Sequence, residues 1–268
     1  MSEQTARNGI RVTQRGRVAE VVLDVAPVNA ISAAMYEGLT RVFRGFSART
    51  DINVVLIYSA LERGFSAGAD IKEAFDADGG GTSSVEQRQR LARDCYEAIL
   101  DCAVPTIAVV HGFALGAGSV IPACCDVRIG ADDASIGLPE INAGRCGGGR
   151  HLMRLIPQGT TRLMYFTGDP MDAAEAFRVG YLQAVHPRER VLEEARSLAA
   201  KIAAKSPLGL RLAKRALNES EVLDVRAGYR CEQVYTVELA AHPDAAEAAA
   251  ATLERREPVW TWGAQASS

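Results

Sequence analysis

Three glycine-containing turns and one glutamate are the parts of this sequence best suited to chemistry. They are GFSAGAD (64–70), HGFALGAG (111–118) and LPEINAGRCGGG (138–149), the last carrying Glu140. In the first two, an apolar run passes through small residues into a helical pattern, which leaves unpaired backbone N–H groups at a helix start. Such groups can bind an oxyanion. Taken singly, each turn is explained by the tight strand-to-helix bends that glycine permits. Two in succession, followed by a carboxylate, favour a site that stabilises developing negative charge.

A competing chemistry must be weighed at the same place. Gly64, Ser66 and Gly68 form a G-x-S-x-G pattern after an apolar run, as in the nucleophile elbow of a serine hydrolase. That chemistry needs a later acid and a histidine. His151, His186 and His242 lie downstream, but none has a telling context, so a hydrolase using Ser66 is the remote alternative. Neither a Walker sequence nor a G-x-G-x-x-G fingerprint is present, since Gly116-Ala117-Gly118 runs on to Ile121 where a small residue would be needed. Asp70, Lys72 and Glu73 cluster at a helix start, and Glu73 reads as a solvated cap.

The elements that must hold these turns are those of an α/β chain. Residues 10–23 read as two strands hinged at Arg15-Gly16. Ser32 is a plausible N-cap for a helix to about Arg49, with Met35, Leu39, Val42, Phe43 and Phe46 on its buried face. VVLIYS (54–59) and TIAVV (106–110) read as buried strands, separated by a surface loop at 77–84 and a helix near 85–102. A helix from about Gly116, a strand near 126–130 and a short run at 134–138 continue the alternation, which predicts crossover connections. After Gly149 helical patterns dominate, at about 149–156, 159–167, 172–179, 189–204, 207–218 and 221–254; a strand signal returns only at 181–185. The expected organisation is an α/β core over 1–188 and a helical region over 189–268.

Composition narrows the partners. The chain has 268 residues with 30 Lys and Arg against 33 Asp and Glu, a net charge of −3 and no basic block, which argues against nucleic acid. Six cysteines without C-x-x-C spacing, and a start without an apolar stretch, read as a reduced cytoplasmic chain with no metal site. Residues 102–125 lack charge over a length that could span a bilayer. Pro105, His111, Pro122 and the interspersed glycines favour a buried strand followed by a buried helix instead.

Six segments, taken in order, give the reading its specificity: PVNAIS (27–32), GFSAGADIKE (64–73), PTIAVVHGFALGAGSVIPACCDVRIG (105–130), LPEINAG (138–144), SPLGLRLAKRAL (206–217) and LERREPVW (253–260). Together they resemble the enoyl-CoA hydratase/isomerase, or crotonase, family from about residue 10 to 260. The resemblance implies a crotonase-like spiral of ββα units enclosing a coenzyme A thioester. It also implies a helical C-terminal region for trimerisation and active-site cover, in a homotrimer or homohexamer. The family's two oxyanion-hole amides fall on Ala69 and on Ala117, where the family more often has glycine; a main-chain donor survives that change. Substrate contacts carry over to Ala30, Ala67, Asp70, Ile71, Lys72 and Gly116. Coenzyme A belongs to the substrate, and no bound cofactor is expected.

The carboxylates decide the reaction. By resemblance Glu140 matches one of two hydratase glutamates, while the other position holds Val120. Hydration shares water activation and carbon protonation between two acids, whereas one acid can take a proton from C2 and return it to C4. The sequence therefore points to an isomerase-like or nonstandard hydratase chemistry with Glu140 as single acid/base. Ring hydrolysis, dehydration, decarboxylation and a catalytically silent assembly subunit are the alternatives. Arg145, Arg150 and His151 read as surface or CoA-phosphate contacts, and Lys72 and Lys214 as contacts to the nucleotide end.

Overall fold

The computed structural model describes residues 4–76 and 82–263. Of the loop expected at 77–84, the first five residues lie outside the described ones, and 82–84 are helical.

The chain opens with β1 (Gln4–Arg7), then an antiparallel pair, β2 (Ile10–Arg15) and β3 (Val18–Leu23), turning at Arg15-Gly16 as the sequence predicts. Ser32 caps α1 (Ala33–Gly45), its side chain accepting from the Met35 N–H, and Met35, Leu39 and Phe43 are buried beneath it. From there the chain repeats one unit: a long strand, a three-residue strand, then helix. The first unit is β4 (Val54–Ser59), β5 (Gly64–Ser66), α2 (Ile71–Asp76) and α3 (Thr82–Leu100). The second is β6 (Thr106–Val110), β7 (Phe113–Leu115) and α4 (Ala117–Ala123). The third is β8 (Val127–Ala131), β9 (Ser135–Gly137), a 3-10 turn (Pro139–Ala143) and α5 (Gly149–Met153). This is the spiral of ββα units.

The long strands build a seven-stranded sheet in the order β1-β2-β3-β4-β6-β8-β11, parallel from β3 onward, where β11 is Ala184–His186. Sheets buried on both faces read as continuous apolar runs, which is why VVLIYS and TIAVV lack alternation. Their side chains still divide by parity. Val55, Ile57, Ala108 and Val110 join the main core under α1 and α3, while Val54, Leu56, Ile107 and Val109 face the other way. That second face is covered by α8 (Val191–Ala203) through Val191, Ala195 and Ala199. The expected helical region thus begins with a helix of the sheet layer.

The short strands build a second sheet, β10-β9-β7-β5, with β10 at Met171–Asp172. α6 (Gln158–Thr167) and α7 (Ala173–Arg178) flank it in sequence. α9 (Pro207–Ser220), α10 (Val225–Ala240) and α11 (Pro243–Glu254) complete the chain, the Ala-rich 221–254 stretch being two helices broken at His242-Pro243. The charge-free 102–125 segment becomes β6, β7 and α4, and no helix among the described residues is long and apolar enough to cross a membrane.

Candidate active site

The second sheet brings the three turns together. β5, β7 and β9 are parallel neighbours, with Ser66 opposite Ala114 and Leu115 opposite Gly137. Each glycine turn leaves the carboxyl end of one of these strands, the edge where parallel sheets place ligands. The contacts between turns are close enough that only glycine fits. A methyl group on Gly68 would lie 2.7 Å from the Leu115 carbonyl oxygen and 3.5 Å from the Ala117 nitrogen. One on Gly116 would lie 2.7 Å from Glu140 Oε1 and 3.8 Å from the Gly68 Cα. Gly68, the Gly116–Ala117 turn and Glu140 therefore lie side by side, with Ala69 the residue that follows Gly68.

The first turn is pinned by its backbone to the segment before α1. Ala67 N–H donates to Val28 (3.0 Å), Ile31 N–H to Gly68 (2.8 Å) and Asp70 N–H to Ile31 (3.0 Å). Gly68 has φ +96° and is buried, while Ala67 and Ala69 on either side are exposed. The second turn is pinned by the Gly116 N–H donating to Gly137 (2.9 Å), with Gly116 at φ +55°. Among the described residues, neither the Ala69 nor the Ala117 N–H has a protein acceptor. Two free main-chain donors on facing turns can hold one oxyanion.

Glu140 stands on the third turn, fixed by Pro139 at its start and by Gly144, in the left-handed region, at its end. The residue is half-buried, and its Oε2 is buried without a hydrogen-bond partner. Burial pushes its pKa up from the ordinary carboxyl range. A carboxylate so placed exchanges protons more readily near neutral pH. Val120 is 1% exposed, and its Cγ2 would lie 2.6 Å from a methyl group on Gly148, which also would touch Leu138. Val120, which the resemblance matches to a second hydratase glutamate, is thus a buried apolar side chain against the glycine run that follows Glu140.

The remaining expected contacts surround this point. Ala30 is half-buried beside the Ile31–Ala69 bridge, and Ile71 and Lys72 are exposed at the start of α2. Asp70 caps that helix, accepting from the N–H groups of Lys72 (2.9 Å) and Glu73 (3.1 Å). Glu73, expected as a solvated cap, is half-buried and accepts from the Ala33 N–H (2.8 Å), tying α2 to the start of α1.

Three other expectations change. Ser66 is fully buried; its hydroxyl donates to the Asn29 carbonyl (2.7 Å) and accepts from the Gly68 N–H (3.1 Å), leaving no exposed nucleophile. Lys214 does not face a nucleotide. Its ammonium is buried, donating to Asp126 (2.8 Å) and the Val104 carbonyl (3.2 Å), residues just ahead of β8 and β6. His151 is half-buried rather than superficial, its ring 5.1 Å edge-on from Tyr96, and burial holds its pKa below the usual histidine value. The resemblance places a further substrate contact near Asn29 and Ala30; the structure buries Asn29 fully, in a hydrogen-bond network that no sequence signal gave.

Comparison with known proteins supports one family. Residues 13–263 match the family model described as Enoyl-CoA hydratase/isomerase. Over 86% of this chain and 89% of the relative, the sequence is 39% identical to the (7aS)-7a-methyl-1,5-dioxo-2,3,5,6,7,7a-hexahydro-1H-indene-carboxyl-CoA hydrolase of Rhodococcus jostii (strain RHA1). It is 34% identical to the 2,3-dehydroadipyl-CoA hydratase of Escherichia coli (strain K12), covering 92% of this chain and 96% of the relative. Among solved structures, the enoyl-CoA hydratase from Bacillus anthracis superposes with a TM-score of 0.90 at 30% identity, covering 94% of this chain and 99% of that one.

Proposed function

The chain belongs to the enoyl-CoA hydratase/isomerase family and is an acyl-CoA enzyme of it, and from this premise we propose that it works through a thioester enolate with Glu140 as its single acid/base. The observation carrying this reading is the approach of the Glu140 carboxylate to the Gly68–Gly116 contact, beside two unpaired amides. Removing a proton from C2 moves an electron pair onto the thioester oxygen. The Ala69 and Ala117 N–H groups hold that charge, each worth ~3 kcal/mol by analogy with single-donor deletions. Protonated Glu140 then returns the proton, to C4 in an isomerisation. With Val120 at the second position, the concerted two-acid hydration is not available.

A second reading, ring hydrolysis, shares the enolate and draws support from the indene-carboxyl-CoA hydrolases among the relatives. Glu140 takes a proton from water, the hydroxide adds to a ring ketone β to the thioester, and the bond from that carbon to C2 breaks. Its electron pair becomes the enolate, and Glu140 delivers the proton to C2. One water is consumed, one C–C bond is lost, and the ketone carbon leaves as a carboxylic acid.

In either case coenzyme A arrives with the substrate and there is no resident cofactor. Ala30, Ala67, Asp70, Ile71, Lys72 and Gly116 border the thioester, and the reaction runs in the cytoplasm. The exposed apolar side chains of α10 (Val225, Tyr229, Val234, Val237) and α6 (Leu163, Phe166) support assembly into a homotrimer or homohexamer. The deciding experiment incubates a panel of CoA thioesters in heavy water and reads mass. An isomeric product separated by chromatography, with or without deuterium and with no added water, marks isomerisation; added water marks hydration, or ring opening if the product gains a carboxylate. Neither conversion nor exchange on any thioester overturns the enolate reading.

A further inference from the structure

Two donors on separate turns make one anion site only if something fixes the distance between the turns. Ser66 touches both turns. On the first turn its hydroxyl donates to the Asn29 carbonyl at 2.7 Å and accepts from the Gly68 N–H at 3.1 Å. The Gly68 N–H is thereby used up, and the next one, at Ala69, is left without a protein acceptor among the described residues. On the second turn Gly118 presses directly on Ser66. A methyl group there would lie 2.4 Å from the Ser66 carbonyl oxygen and 2.8 Å from its Cβ.

Asn29 supplies the fixed reference. It is fully buried with φ +49°, a conformation an asparagine tolerates better than most residues. Its side chain accepts from the Val25 N–H (2.7 Å) and donates to Ser59 Oγ (2.8 Å) and the Phe65 carbonyl (2.9 Å). Every polar atom of that amide is thus committed to neighbours on the β3 side, at the end of β4 and on β5. A network so fully satisfied is rigid, and losing one member releases the others.

We propose that Ser66 is the positioning residue of the anion site, held by Asn29 and packed on Gly118 so that it sets the separation of the Ala69 and Ala117 N–H groups. The proposal rests on the enolate reading above and assigns Ser66 no contact with substrate. It explains why a serine sits in a G-x-S-x-G pattern here without an elbow's exposure: its oxygen faces the scaffold, and its effect is delivered through the amide three residues on.

The test uses acetoacetyl-CoA, a 3-ketoacyl thioester whose enolate absorbs in the near ultraviolet, with free coenzyme A as control. The wild-type chain binds acetoacetyl-CoA at least about tenfold more tightly than coenzyme A and raises the enolate band. Ser66→Ala loses that preference and most of the band, keeps coenzyme A binding within about twofold, and shows its activity loss in kcat rather than KM. Ser66→Cys, retaining a weak donor and acceptor, recovers part of each. Gly118→Ala approaches the same contact from α4 and repeats the Ser66→Ala pattern, which keeps the proposal testable should Ser66→Ala fail to fold. A folded Ser66→Ala with the wild-type band overturns the positioning role alone. A wild-type chain with neither band nor preference overturns the enolate reading itself.

Discussion

Replacing Glu140 by glutamine should remove activity and raise stability together. The carboxylate is half-buried with one oxygen lacking any partner, and burial raises its pKa. The folded chain therefore holds this proton more tightly than the unfolded chain does. The penalty for ionising it is absent in acid, below the ordinary glutamate range, and complete above the raised folded value. Wild-type stability thus falls, relative to Glu140→Gln, as pH rises through that window. Because the residue keeps part of its exposure, solvent screening limits the gain to about 0.5–1 kcal/mol above the window. For a chain of this size that corresponds to a rise of about 1–3 °C in Tm. Turnover falls by about 10²–10⁴, the range for losing a positioned acid/base. Thermal melts at about pH 5 and about pH 8, beside initial rates on whichever thioester the mass screen identifies, check both halves. A variant that turns over within tenfold of wild type, or one that is less stable than wild type at the higher pH, refutes the reasoning.

Val120→Glu places a second carboxylate against Leu138 and the Gly148 turn; it should destabilise by roughly 2–4 kcal/mol through burial of an unpaired acid, and raise crotonyl-CoA hydration, and an unchanged rate in the folded variant shows that this side chain does not face the thioester. Lys72→Ala should weaken binding of an intact CoA ester more than of its pantetheine analogue, measured by calorimetry; equal losses argue against contact with the nucleotide end. Lys214→Met removes the 2.8 Å partner of Asp126, which is exposed and keeps the Thr106 N–H and hydroxyl as donors, so it should cost no more than about 1 kcal/mol in urea unfolding. Steady-state KM for the thioester in that variant should stay within about twofold, and a selective rise in KM without loss of stability would restore Lys214 to the binding surface.

What could be read from the sequence follows the length of each element. β3, β4 and β6 are runs of five or six residues buried on both faces, and α1 carries its cap and stripe, so all were visible. β5, β7 and β9 have three residues each, and three residues carry no periodicity; β5 and β7 lie inside segments that read as turns, while β9 falls in the short run expected at 134–138. Without them, the adjacency of the three glycine turns had to come from family resemblance rather than from pattern. It is the non-local pairing of Ser66 with Ala114 and of Leu115 with Gly137 that creates the site. Lys214 and His151 were misplaced for a related reason. A charged or polar residue on a helix reads as surface unless its tertiary partner, here Asp126 or Tyr96, is known.

The clamps between the turns are main-chain carbonyls, amides and close-packed glycines, tied by the side chains of Ser66 and Asn29. The side chains at 120 and 140, to which the proposed mechanism gives the choice of reaction, hang from that frame. On the proposed mechanism, mutation can therefore swap one chemistry for another while the frame stays intact, a division of labour in keeping with relatives that include both a hydrolase and a hydratase.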